Sequence, residues 1–74
     1  MENFNHILVF KTNIKTPEDR ETLKPLFEKH ESIKQWNVDL YDEDYVLRII
    51  SYTLNHQYII KLLHVHGYDC EELI

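Results

Sequence analysis

The chain has 74 residues, 43% of them hydrophobic and 28% charged, with 1 Gly and 2 Pro. That is room for one domain, read as residues 1–74, which must commit nearly every long apolar side chain to a single core; Gly and Pro are too few for a disordered or loop-dominated chain. Thirteen acidic residues against 8 basic ones give a formal net charge of -5, the wrong sign for a phosphate-binding surface, which excludes nucleic acid as an expected partner.

The opening Met-Glu-Asn-Phe-Asn-His is acidic where a secretory leader is basic, and the apolar run at residues 7–10 is far shorter than a membrane span of about 20 residues. No export and no membrane insertion are expected. Cys70 is the only cysteine, so no internal disulfide can form, and a reducing cytoplasmic setting is the expected one.

In chain order, residues 6–12 (His-Ile-Leu-Val-Phe-Lys-Thr) are apolar on both parities, the pattern of a central strand with little solvent on either face. Thr16-Pro17-Glu18-Asp19 is a helix start: Thr16 at the N-cap, Pro17 at the first helical position, Asp19 near the capping-box position. Leu23, Leu26, Phe27 and His30 then recur at helical spacing, predicting a helix over 17–30 with a kink or split near Lys24, because Pro25 removes a backbone donor and crowds the preceding turn.

Trp36, Val38 and Leu40 alternate with polar residues, and Tyr45, Leu47 and Ile49 do so in a second run, with Asp42-Glu43-Asp44 between them as the turn of a hairpin. Thr53 or Asn55 can cap a second helix carrying Ile59, Leu62, Leu63 and His66 on one face and ending at Gly67. Residues 68–73 complete a last edge strand. The order strand-helix-strand-strand-helix-strand is the α+β pattern of the ferredoxin-like sandwich: a four-stranded antiparallel sheet in the order 4-1-3-2 with two helices on one face. In that topology the loop over 11–16 and the loop over 66–68 share one end of the domain.

With this order in hand, the tail Tyr-Ile-Ile-Lys-Leu-Leu-His-Val-His-Gly-Tyr-Asp-Cys, its Gly67-Tyr68 pair and the second-strand Val38-Asp39-Leu40 resemble a heavy-metal-associated domain, the module of small copper chaperones and of the cytosolic parts of metal-pumping ATPases. The resemblance spans almost the whole chain and implies the same fold and a cytosolic setting. That family grips soft cations with Cys-x-x-Cys between its first strand and first helix. Here the loop reads Lys11-Thr12-Asn13-Ile14-Lys15-Thr16, and the resemblance puts Asn13 and Thr16 about where the two cysteines would stand. An amide and a hydroxyl are poor ligands for monovalent copper, and Lys11 and Lys15 add repulsion.

Five histidines keep a transition-metal site in view, and the candidate ligands are His64, His66 and Cys70. His64 and His66 lie about 200° apart on a regular helix, so both reach one ion only if His66 leaves the helix. His6, His30 and His56 are expected to gather loosely at the opposite end. The alternative for His66 is a place on the core stripe, for His30 and His64 a favourable charge near a helix C-terminus, and for Cys70 a small core residue. Trp36, Tyr41, Tyr45 and Tyr52 either supply core area or form an aromatic patch on the uncovered sheet face that would mark a partner surface. Ser32 and Ser51 have no histidine in a recognisable arrangement and there is no glycine-rich phosphate loop, so no enzymatic activity and no resident cofactor are expected. The sequence therefore points to a small cytoplasmic, non-catalytic protein-interaction or regulatory module. The alternative is Cu, Zn or Ni binding through His and Cys70, and self-association through the bare sheet face or the edge strand at 68–73 is a third possibility.

Overall fold

The computed structural model describes residues 6–73, in the order β1 (Ile7–Thr12), α1 (Pro17–Glu28), β2 (Gln35–Val38), β3 (Leu47–Ile50), α2 (His56–Val65) and β4 (Cys70–Glu72). The four strands form one antiparallel sheet in the order β2-β3-β1-β4, the expected order read from the other edge. β1 and β3 are central, as the apolar character of residues 6–12 requires.

Register sorts the side chains onto two faces. Phe10 stands opposite Leu47 and Leu8 opposite Ile49, and β2 adds Val38 beside Leu47 and Trp36 beside Ile49. These residues form one core cluster with Leu23 and Phe27 of α1 and Ile59 and Leu63 of α2, so both helices cover the same face. The opposite face carries Ile7, Val9 and Lys11 of β1, Arg48 and Ile50 of β3, and Glu71 of β4.

Thr16 caps α1 as expected: its Oγ1 accepts the Asp19 N–H at 3.0 Å, and Pro17 opens the helix. The helix is not divided at Lys24. Pro25 sits in its last four residues, where few hydrogen bonds remain to be lost, and the Pro25 carbonyl still accepts from Lys29 N–H at 3.1 Å. The helix stops at Glu28, short of His30.

The β2–β3 connection is longer than a three-residue turn, because its carboxylates compete with the ladder. Asp39 Oδ1 accepts Tyr41 N–H at 3.0 Å, Asp42 Oδ1 accepts Asp44 N–H at 2.8 Å, and Tyr45 adopts a φ of 46°. The strands are accordingly shortened to 35–38 and 47–50, and Leu40 and Tyr45 fall outside them.

The aromatic patch does not form. Trp36 lies on the helix side with its ring centroid 5.0 Å from that of Phe27, because its parity in β2 is that of Val38. Tyr41 is fully exposed in the β2–β3 connection and Tyr52 packs on His6 in the loop before α2, with ring centroids 4.3 Å apart.

α2 is capped by Asn55, whose Oδ1 accepts Tyr58 N–H at 2.9 Å; Thr53 is not the cap. At the other end Tyr68 N–H donates to the Leu63 carbonyl and Gly67 N–H to the His64 carbonyl, both at 3.0 Å, with Gly67 at a φ of 86°. This double closure requires a left-handed residue and explains the position of the chain's only glycine. No helix among the described residues is long and apolar enough to cross a membrane.

Candidate functional site

The 11–16 loop and the 66–69 segment meet at one end of the sheet, as the topology predicts. Asn13 is tied to Asp69 by three hydrogen bonds: backbone N–H to carbonyl at 3.4 Å, Asn13 Nδ2 donating to Asp69 Oδ2 at 3.4 Å, and Asn13 Oδ1 accepting Asp69 N–H at 2.9 Å. Thr12, buried beside it, donates from Oγ1 to the Tyr45 carbonyl at 2.6 Å and accepts Ile14 N–H at 3.2 Å. Its own N–H donates to the Asp44 carbonyl at 3.0 Å, so the β2–β3 connection is held to the same end.

Asp19 joins α1 to this cluster. Its carboxylate accepts Tyr68 Oη–H at 3.2 Å and Lys15 N–H at 3.4 Å. The hydrogen bond with Thr16, then those with Tyr68 and the Lys15 backbone, hold the Asp19 carboxyl below its ordinary pKa against a smaller opposing effect of burial. Tyr68 moves the other way: desolvation and then the Asp19 charge raise its phenol above the usual value. Lys11 Nζ stands 3.7 Å from Asp44 Oδ1.

An open groove of about 700 Å³ runs along this end, lined by Lys11, Asn13 and Lys15 of the loop, Tyr45, His64 of α2, and Cys70 of β4 among others. Of the candidate metal ligands, it brings His64 and Cys70 to one groove. Cys70 is only 5% exposed, and burial, then the Glu71 charge, pushes its thiol up to about 12, so it is a protonated thiol at neutral pH. His66 turns elsewhere: it occupies the C-cap of α2, and its Nδ1 hydrogen-bonds the Leu62 carbonyl at 2.9 Å. Among the described residues no group of three or more His, Cys, Asp or Glu stands where it could hold a metal ion.

The remaining histidines each have a separate neighbour. His6 packs on Tyr52, His30 Nε2 is 2.9 Å from Tyr58 Oη, and His56 lies against Phe10 with Nδ1 3.8 Å from Glu72 Oε2. His30 Nδ1 accepts Ser32 N–H at 3.3 Å, which leaves Nε2–H as the donor to Tyr58.

Asp69 is the residue at this end that sequence reasoning missed. It lies 56 positions from Asn13, and no local pattern couples an Asn after one strand to an Asp before another. Only the closure of β1 on β4 does so. No family model, curated protein or solved structure matches the chain at a significant level.

Proposed function

We propose that this chain is a non-catalytic contact module, a ferredoxin-like domain similar to heavy-metal-associated domains, in which the ion-gripping loop has become a structural clasp. The proposed setting is cytoplasmic, in keeping with a single unpaired cysteine, and the proposed partner is protein, with no nucleic acid and no resident cofactor. The observation that carries this reading is the threefold tie of Asn13 to Asp69. The side chain at one former ligand position is spent on joining β1 to β4, and Thr16, at the other, is spent on capping α1. A protonated, buried Cys70 thiol offers no thiolate in their place.

Titration with Cu(I) against a chromophoric competitor tests it. The expected outcome is no tightly held equivalent of copper. One equivalent taken up with high affinity, and lost in His64→Ala or Cys70→Ala, would overturn the reading.

The alternative, a Cu, Zn or Ni site on His64, His66 and Cys70, draws on the shared groove of His64 and Cys70. Zn(II), Ni(II) and Cu(II) titrations followed by the histidine ring NMR signals decide it, because a bound ion must move the His64 and His66 resonances together.

A further inference from the structure

Every inward-facing residue of β1 is accounted for by the helices, but its outward-facing ones are not. Ile7 and Ile50 form a direct cross-strand pair on the uncovered face, Val9 follows Ile7 two residues on, and Leu73 N–H donates to the Val9 carbonyl at 3.0 Å, extending the patch past β4. These four side chains are contiguous and only half-buried, on a face that an antiparallel sheet exposed to water normally makes polar. On one flank of β1 stands Arg48 of β3, level with Val9; on the other stands Glu71 of β4, level with Lys11. Among the described residues neither Arg48 nor Glu71 makes an ion pair.

We infer that a second copy of this chain covers this face, in a two-fold dimer whose axis runs along β1. The inference rests on the reading of the chain as a contact module and names its partner. Rotation about that axis lays β1 on its own copy, β3 over the partner's β4, and β4 over the partner's β3. Ile7 and Val9 then pack on their equivalents and Ile50 meets the partner's Leu73 region. Arg48 comes within one inward-facing step, about 7 Å along the strand, of the partner's Glu71. The rotation makes this contact twice, so the unpaired charges that flank the patch satisfy one another. Aligned sheet packing at about -30° is the ordinary geometry for such a pair.

The exposed stripe of α2, Tyr58, Leu62 and Val65, is the rival surface. It is flanked by Lys61 and followed by His64, with no carboxylate in the helix, so pairing it with itself sets like charges together. The sheet face is small. Four strands at about 4.8 Å spacing and about six residues of rise cover on the order of 400 Å² per copy. That is the low end of specific interfaces, so the dimer is a weak one, forming at roughly 10 μM to 1 mM.

Sedimentation equilibrium of the full chain over that range, in the presence of EDTA, tests the inference. The weight-average mass is expected to climb from one chain towards two. Arg48→Glu or Glu71→Arg alone should move the transition to roughly tenfold higher concentration, and the double exchange Arg48→Glu/Glu71→Arg should return it. A monomer throughout overturns the inference, as does a dimer indifferent to both charge reversals or one abolished by Val65→Glu. Nuclear Overhauser contacts from residues 1–5 to Val9 in a monomer would assign the cover to the chain's own first residues and overturn it equally. Copper uptake bears only on the contact-module reading, and the oligomeric state in EDTA only on this one, so the two fail separately.

Discussion

The two faces of this sheet are built from alternate residues of the same strands, yet they answer to different constraints. On the helix side Phe10, Leu47 and Ile49 are wholly sealed by α1 and α2, and even Trp36 is drawn there against Phe27. On the other side Ile7, Val9 and Ile50 share their surface with Arg48, Lys11 and Glu71. One face closes the fold; the other is apolar without closing anything within the chain. The pleat, not the composition of the strand, decides which role each residue plays.

The sharpest test of this division is a pair of truncations one residue apart. Phe10→Ala removes a ring from the sealed side and should cost about 3–5 kcal/mol, enough to threaten folding in a chain this small; Val9→Ala should cost less than about 1 kcal/mol in dilute solution. Urea unfolding of both variants measures the contrast, and equal losses would erase it.

Cys70 reports on the same seal through its chemistry. With the thiol pushed up to about 12, its thiolate fraction at pH 8 is roughly 10³-fold below that of a free cysteine, so alkylation of the native chain should be slower by about that factor and recover in denaturant. Because the folded pKa lies above the unfolded one, this group's contribution to stability is fully present below about pH 9 and declines as pH rises from there towards 12. Native alkylation at the free-thiol rate would place Cys70 outside the seal.

The clasp at the β1–α1 end should respond less. Asn13→Ala removes both side-chain bonds to Asp69, at least one of them at good geometry, and a loss of about 1–2 kcal/mol is expected in thermal unfolding. No loss would show that β1 and β4 hold without it and would take away the main support for the proposed function. Smallest is Gly67→Ala. Nothing lies within 4 Å of the added methyl, so the cost is confined to the left-handed backbone, about 1 kcal/mol. A larger loss would mean that α2 depends on its closure more than on its packing.

Much of the architecture was legible from the chain. The Thr16-Pro17 start, the Gly67 stop and the both-parity apolar run at 6–12 are short-range signals, and each corresponds to an observed cap, closure or central strand. The errors have short-range causes that the pattern hides. Pro25 was too near the end of α1 to divide it, and Asp39 and Asp42 captured backbone N–H groups that alternation assigned to strands. The loop positions Asn13 and Thr16 were legible as places, through a resemblance that remains part of the proposed reading. Their occupation was legible only for Thr16, because an N-cap is made within three residues while the partner of Asn13 is at the far end of the chain.

The linear order of residues thus determined which segments fold and in what sequence they are laid down, because periodicity, capping and turn chemistry act over a few bonds. The tertiary structure alone decided that Asn13 meets Asp69, that His64 and Cys70 share a groove while His66 does not, and that Trp36 turns inward while Val9 and Arg48 face out. Those outcomes depend on which strand lies beside which and in what register, and register is settled only when the whole sheet closes under its helices.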